Sequence, residues 1–199
     1  LNGANLGSIF AKEVNLGQAN LLAASLRNAI LSQANMSEAN LMVANLGESD
    51  LSGVNLSKTN LTRAQLSSVN LRRADLSGAR LTGAHLTKSY LVEARFVGAD
   101  VIGTDFSGAR VGITVFANID LSRVTGLESV DHRGPSHISM DTFILSEGKI
   151  PEVFLPKLRE FLDNWKETGI GEISEGLYPC QIFPVPKSNQ SIRWVNNLV

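Results

Sequence analysis

Residues 44–61, ANLGESDLSGVNLSKTNL, have a leucine at every fifth position: Leu46, Leu51, Leu56 and Leu61. An amphipathic helix would place apolar residues at i, i+3, i+4 and i+7, and a half-exposed strand would alternate at every second residue. A five-residue period fits neither. If two of every five residues point inward and the other three turn a corner, the chain winds into a coil with short sides.

The five-residue period extends over residues 1–125. The column that contains the leucines, called the leading column, is mostly Leu, with Phe, Val, Met or Ala at its other positions. Two residues before each leading residue lies a second column, called the alanine column, which is mostly Ala and otherwise Val, Ile, Thr or Ser. Neither column contains a charged residue. Both columns are therefore predicted to form the interior.

The leading column also predicts where the stability of the fold originates. Burial of each leucine contributes about 2 kcal/mol, and the bulk of the column increases toward its C-terminal end, where phenylalanine replaces leucine. The predicted structural core consists of Leu46, Leu51, Leu56, Leu61, Leu66, Leu71, Leu76, Phe96, Phe106 and Phe116.

The repeat unit resembles that of the pentapeptide repeat family. Matching stretches are ANLGE at 44–48, ADLSG at 74–78 and ADVIG at 99–103. The resemblance implies an all-β solenoid, a right-handed quadrilateral β-helix with four pentapeptides per turn. Residues 1–125 would then form about six turns, with successive turns about 4.8 Å apart.

On this interpretation, residues twenty apart are stacked neighbours. Two charged pairs should then form on the surface, Asp75 with Arg95 and Arg80 with Asp100, each contributing at most about 1 kcal/mol. Tyr90 and Arg110 should form a cation–π contact. Stacked asparagines, such as those at 15, 35 and 55 and at 20, 40 and 60, should hydrogen-bond along the coil.

The repeat pattern ends at residue 125, and residues 126–199 are predicted to be a C-terminal capping segment that is partly α-helical. Residues 139–148 should form a short helix with Ser139 as its N-cap. Residues 156–169 have helical apolar spacing, and residues 177–183 are typical of a strand. One of the two helices, the second through Leu158, Phe161, Leu162 and Trp165, should pack over the last turn because solenoid ends require caps.

Composition argues against several classes of function. The formal net charge is −1, so no nucleic-acid partner is expected. No run of about 20 apolar residues occurs, so no membrane partner is expected, and a cytoplasmic location is predicted. The start at Leu1, in phase with the repeat, is interpreted as a truncated or processed start. Cys180 is the single cysteine, so there is no disulfide framework.

The sequence offers no convincing catalytic or metal-binding group. His132 and His137 lie in one loop with Asp131, but a metal site would need further ligands. Cys180 has no neighbouring histidine that would activate it as a nucleophile. We therefore expect no enzymatic activity, no catalytic residue, no metal and no cofactor.

The predicted function is a non-enzymatic scaffold or protein–protein interaction module whose partner is unknown. Solenoids commonly bind along their flat faces. Leu1, Leu6 and the residues around them are already repeat residues, and outward Phe10 and Ile30 should stack into a small apolar patch. The N-terminal end is therefore expected to be uncapped, and either to self-associate or to have lost a preceding segment.

Two alternative functions follow from resemblances. Residues 134–190 are similar to the segment that links pentapeptide repeats to a Toll/interleukin-receptor-like domain in bacterial multidomain proteins, although Pro184 and Pro186 depart from that pattern. This similarity implies a sensor or oligomerisation arm of a larger immune-type effector. Some family members bind DNA gyrase by mimicking DNA. Residues 1–125 have 11 basic and 9 acidic residues, a net charge of +2, which argues against mimicry of a polyanion.

Overall fold

The computed structural model of the chain describes residues 1–147, 149–151, 182–185 and 193–196. The chain divides into two compact units, Leu1–Lys157 and Leu158–Val199. The predicted helix at 156–169, Cys180 and most of the predicted strand at 177–183 lie outside the described residues.

The first unit is a coil that returns on itself every twenty residues. Parallel bridges pair residue i with residue i+20 at successive five-residue steps, from Asn5↔Ser25 to Asp105↔Thr125. The bonds run in both directions along the coil: the Leu56 N–H donates to the Asp75 carbonyl at 2.7 Å, and the Asn55 N–H donates to the Ala34 carbonyl at 3.0 Å. The predicted twenty-residue turn is confirmed.

A tight turn forms each corner of the coil. The N–H of an alanine-column residue donates to the leading residue three positions earlier, as from Ala44 to Leu41 at 3.0 Å. The residue two positions after the leading residue, called the corner residue, has a positive φ of 52–66° at every corner from Gly3 to Asn118. A positive φ at the third residue is what a type II turn requires. Glycine occupies only a minority of these corners.

The interior is formed by the leading and alanine columns. All ten predicted core residues have no exposed surface. The three phenylalanines pack together, with Phe96 stacked on Phe116 at 5.3 Å between ring centroids and Phe106 edge-on to both at 5.8 and 6.3 Å. Buried threonines of the alanine column are satisfied by main-chain carbonyls of the turn below, as from Thr59 to Met36 at 2.7 Å.

The coil continues beyond the predicted boundary at residue 125. Short parallel strands pair in the last turns: β1 (Arg95–Val97) with β3 (Val115–Ala117), β3 with β5 (His137–Ile138), and β2 (Arg110–Val111) with β4 (Asp131–His132). Arg110 pairs with Asp131 and Val115 pairs with His137, so these turns are slightly longer than the regular turn. A 3₁₀ helix at Leu127–Ser129 and the loop that follows β4 lie within them. The main-chain pairing therefore persists after the pentapeptide pattern is lost, and the boundary predicted from the sequence is too early.

A short helix, α1 (Met140–Leu145), follows this last turn, with Ser139 as its N-cap. The predicted short helix is thus present, while Gly148 after it lies outside the described residues. Hydroxyl groups in and beside α1 accept hydrogen bonds from main-chain N–H groups of the preceding turn. The bonds run from Asn118 to Ser139 at 3.2 Å, from Ile119 to Thr142 at 3.3 Å and from Leu121 to Ser146 at 2.9 Å. These hydroxyls occupy the acceptor role that the carbonyls of a further turn would have.

The described part of the second unit is an antiparallel strand pair. β6 (Ile182–Val185) pairs with β7 (Arg193–Asn196), and Ile182 lies opposite Asn196. Part of the predicted strand at 177–183 therefore belongs to β6, which begins at Ile182.

Candidate interaction surfaces

Where the outward residue before a leading residue is asparagine or aspartate, it stabilises the turn that follows it. Its side-chain Oδ1 accepts a hydrogen bond from the N–H two residues later, as from Gly47 to Asn45 at 3.1 Å and from Ser107 to Asp105 at 2.9 Å. Asparagine and aspartate favour this local bond in turns. The same bond is made by Asn5, Asn15, Asn20, Asn35, Asn40, Asp50, Asn55, Asn60, Asn70, Asp75, Asp100 and Asp120. Many outward asparagines and aspartates therefore have a structural role that the sequence pattern alone does not reveal.

Some of these side chains also bond to the turn above or below. Asn35 donates to Asn15 at 3.0 Å, Asn60 donates to Asn40 at 3.4 Å, and Asn70 donates to Asp50 at 2.8 Å. One rung of each expected asparagine ladder is thus present, Asn15–Asn35 and Asn40–Asn60, while the hydrogen bonds of the described residues include no side-chain rung from Asn35 to Asn55 or from Asn20 to Asn40. The rungs that form hold the outward columns in register along the coil.

The two predicted surface charge pairs do not form ion pairs. Backbone bridges join Asp75 to Arg95 and Arg80 to Asp100, so each pair is stacked as expected. The ion pairs of the described residues include neither pair, however. The Asp75 carboxylate accepts hydrogen bonds from Ser77, and the Asp100 carboxylate accepts from Thr82 at 2.8 Å and from the Ile102 N–H at 3.2 Å. The prediction was wrong because it ignored the local bond that turns each carboxylate toward its own corner.

Other charged residues do pair across turns. Arg73 contacts Glu93 with 2.8 Å between Nε and Oε2, and this hydrogen bond raises the pKa of Arg73 and lowers that of Glu93. The Arg110 guanidinium lies 4.6 Å from the centroid of the Tyr90 ring, so the predicted cation–π contact is present. On its other side Arg110 Nε lies 3.6 Å from an Asp131 oxygen.

Two titratable groups have pKa values that their surroundings shift. For Asp105, partial burial acts to raise the pKa, but hydrogen bonds from Ser107 and Thr87 outweigh it, and the net shift is downward. Burial lowers the pKa of His132, and the neighbouring Asp131 opposes this. Within the described residues, no group of three or more His, Cys, Asp or Glu side chains could hold a metal ion.

Apolar side chains are exposed at several outward positions. Phe10 is 76% exposed and Ile30 is 40% exposed, and the bridge between them shows that they stack as predicted. Val43 and Ile113, at two different corners, are 49% and 63% exposed. Val43 and Ile113 also have positive φ values of 57° and 54°, which is unusual for β-branched residues.

A search of family profiles matches eight copies of the pentapeptide repeat to residues 1–41, 39–78 and 74–110. The chain belongs to the pentapeptide repeat family. Membership of this family is in accord with the coil of parallel bridges and implies a right-handed β-helix solenoid. No curated protein matches the chain.

Solved structures also match the chain, and two of those described here are of pentapeptide repeat proteins. One comes from the thylakoid lumen of Arabidopsis thaliana, with 26% identity over 54% of this chain and 68% of that one and a TM-score of 0.40. Another is Rfr23 from the cyanobacterium Cyanothece 51142, with 23% identity over 69% and 89% and a TM-score of 0.45. QnrB1, a plasmid-mediated fluoroquinolone resistance protein, has 18% identity over 68% and 85% and a TM-score of 0.27. In the part of this chain that the structure describes, no helix is long and apolar enough to span a membrane.

Proposed function

We propose that this pentapeptide repeat protein is a non-enzymatic scaffold that binds another protein through the flat faces of its β-helix. The observation that supports this most is the fixed register of the outward side chains. Bridges at every fifth residue, corner hydrogen bonds and side-chain rungs hold those columns in place before any partner binds. A preorganised surface loses little conformational entropy on binding, which favours recognition of a partner.

The structure of the C-terminal end is part of this proposal. We infer that the coil has a square cross-section and that α1 caps it. Ser139, Thr142 and Ser146 accept the hydrogen bonds that an open edge would leave unmade. A capped end prevents edge-to-edge association with other chains and keeps the side faces available.

Self-association through the N-terminal end is a second part of the proposal. The first turn is less covered than the others, because Leu6 and Ile9 are only partly buried and Leu1 is 62% exposed. Light scattering of the whole chain should show a dimer that Phe10→Ser and Ile30→Ser weaken. A monomer at the same concentration would remove this part and leave the scaffold proposal intact.

The two alternative functions have less support. Residues 134–147, the first part of the segment that carries the Toll/interleukin-receptor-like resemblance, contribute to the last turn and α1. For gyrase mimicry, cations of residues 1–125 outnumber acids by two. A supercoiling assay at micromolar protein should show no inhibition of gyrase, and inhibition would favour the mimic over the scaffold.

Selection from a library of random peptides tests the scaffold proposal. The immobilised chain should enrich a family of related peptides, and each should bind in solution with a dissociation constant in the micromolar range or below. Melting of the chain in the presence of a selected peptide should shift upward, because a ligand that binds only the folded state stabilises it. Failure to enrich any related peptides would overturn the proposal.

A further inference from the structure

One side of the β-helix has an apolar half and a basic half in successive turns. Bridges from Asn20 to Asn40, from Asn40 to Asn60 and from Asn60 to Arg80 place these residues in one column. The positions beside this column, at the same register, lie on the same side of the coil. The surface that they form, named the Arg80 face, includes Leu22, Ala23, Met42, Val43, Lys58, Arg63 and Arg80, together with the acidic residues Glu38 and Asp100.

The apolar half comprises Leu22, Ala23, Met42 and Val43. Leu22 and Met42 are partly exposed, Ala23 is exposed, and Val43 is 49% exposed. Val43 has both an exposed apolar side chain and a left-handed backbone, each of which is unfavourable in the free chain. Contact with a partner would bury this side chain and offset part of that cost.

The basic half comprises Lys58, Arg63 and Arg80. In the described part of the chain, none of these three cations has a carboxylate partner within 4.0 Å. Two carboxylates lie in the same columns. That of Glu38, one turn below Lys58, accepts a hydrogen bond from Gln18 at 3.2 Å, and that of Asp100, one turn above Arg80, accepts from Thr82 at 2.8 Å and from the Ile102 N–H at 3.2 Å. The cations of this half are therefore available to carboxylates from outside the chain.

Glycine corners let these cations lie over the turn that contains Arg80. A Cβ on Gly78 would lie 3.4 Å from Lys58 Cγ, and a Cβ on Gly83 would lie 3.5 Å from Arg63 Cγ. The aliphatic stems of Lys58 and Arg63 thus extend over the two glycine corners on either side of Arg80. The three cationic residues therefore lie in two successive turns on the same side of the coil.

We propose that the Arg80 face binds a protein segment with apolar side chains at one end and carboxylates at the other. This inference rests on the proposed scaffold function and specifies its surface and partner. The two halves are centred two turns apart, about 10 Å, which an extended segment spans in about three residues. Apolar side chains of the segment contact Met42 and Val43, and its carboxylates pair with Arg63 and Arg80. Charge complementarity of this kind determines specificity and orientation at an interface.

The other cations of the solenoid provide a matched control. Arg72 and Arg95 also have no carboxylate within 4.0 Å among the described residues, but their columns belong to other sides of the coil. Ile113 provides the apolar control, because it is 63% exposed at a corner half a turn away from the corner column of Val43 and Arg63. Any general effect of charge or hydrophobicity should appear in both sets of variants.

Fluorescence polarisation with synthetic peptides tests the proposal directly. The probe is a labelled peptide with two leucines, a three-residue serine spacer and three glutamates, and the comparison peptides replace glutamate by lysine or leucine by serine. The whole chain should bind the first probe at least tenfold more tightly than either comparison. Arg63→Glu with Arg80→Glu, and Met42→Ser with Val43→Ser, should each weaken binding at least tenfold, while Arg72→Glu with Arg95→Glu and Ile113→Ser leave it unchanged. Thermal melting of each variant verifies that it is folded.

The outcomes separate this inference from the scaffold proposal. If library peptides bind but depend on the control residues, the scaffold stands and the Arg80 face is overturned. If neither the probe nor any library peptide binds, both proposals fall. Equal or tighter binding of the lysine peptide, or of a single-stranded oligonucleotide in the same buffer, would also overturn the inference.

Discussion

At the residue scale, the corner residues show where this chain departs from ordinary backbone preference. Most of the corners with positive φ carry a residue other than glycine, although a left-handed conformation costs a residue with a side chain about 1–2 kcal/mol. The five-residue spacing predicts a corner at these positions but not its handedness, because glycine is the minority there. This cost is offset because each corner forms a main-chain hydrogen bond and directs the next two apolar side chains into the interior.

Ile113 offers the most direct test of this cost. It is 63% exposed with φ of 54°, so replacing it removes strain and little packing. We predict that Ile113→Gly stabilises the protein by about 1 kcal/mol after the entropy of glycine is included, or about 2–4 °C in Tm. Ile102→Gly, at a position that lacks positive φ, should lower Tm instead. A lower Tm for Ile113→Gly would contradict the strain assignment.

Asp105 should make stability depend on acidity. Its pKa is lowered in the folded chain because hydrogen bonds from Ser107 and Thr87 outweigh the effect of burial. A lowered folded pKa means that the stabilisation is present above the unfolded pKa of about 3.9 and is lost as pH falls through the folded value. The difference in Tm between wild type and Asp105→Asn should therefore be largest near neutral pH and shrink below about pH 4. A difference that stays constant from neutral pH to strongly acidic pH would show that the ionised carboxylate has no role.

At the element scale, the sequence predicts the interior better than the surface. The leading and alanine columns could be assigned because burial selects strongly for apolar side chains at fixed spacing. The surface pairs Asp75–Arg95 and Arg80–Asp100 could not be predicted in this way. Each carboxylate can bond either to a neighbour one turn away or to an N–H two residues later, and the spacing alone does not distinguish the two. The coil after residue 125 could not be predicted either, since main-chain pairing there tolerates added residues that break the five-residue pattern.

Gly126 directly follows the end of the regular five-residue repeat. It has φ of 76°, and a Cβ there would lie 2.5 Å from the Ser107 nitrogen and 2.6 Å from the Ser107 Cα. Gly126→Ala therefore pushes the main chain at residue 126 away from the main chain at Ser107 in the neighbouring turn. The substitution should lower the free energy of unfolding by more than about 2 kcal/mol. Gly134→Ala is the control, because the nearest atom to its new Cβ would be 4.0 Å away and its φ is not positive. Equal losses in chemical denaturation would contradict the close approach at Gly126.

The hydroxyl groups at α1 should contribute more than surface hydroxyls do. Ser146 has no exposed surface and accepts a hydrogen bond from the Leu121 N–H at 2.9 Å. Ser146→Ala leaves this buried N–H without an acceptor and should cost about 1–3 kcal/mol. Ser122→Ala, at a partly exposed corner, should cost less than about 0.5 kcal/mol. Urea denaturation of the two variants measures the difference. Equal denaturation midpoints would contradict a stabilising role for the hydrogen bond between Ser146 and the Leu121 N–H.

At the scale of the whole molecule, the twenty-residue register determines which outward residues share each face of the β-helix. Residues that are twenty apart in sequence become neighbours, so the Arg80 face brings together residues from successive turns of the coil. Family membership establishes the β-helix, while the faces and their partners depend on how outward residues align. The role proposed for this pentapeptide repeat protein therefore depends on the twenty-residue register in solution.

Disulfide trapping would report the twenty-residue register in solution. Asn40 and Asn60 lie in paired positions one turn apart, and paired parallel strands are about 4.8 Å apart, within the range that a disulfide spans. With Cys180 replaced by serine, the double variant Asn40→Cys/Asn60→Cys should form an intramolecular disulfide under mild oxidation and melt at a higher temperature than its reduced form. The double variant Asn40→Cys/Asn55→Cys, whose two positions belong to different columns, should stay reduced. A disulfide in the second variant and none in the first would contradict the register and the surfaces built on it.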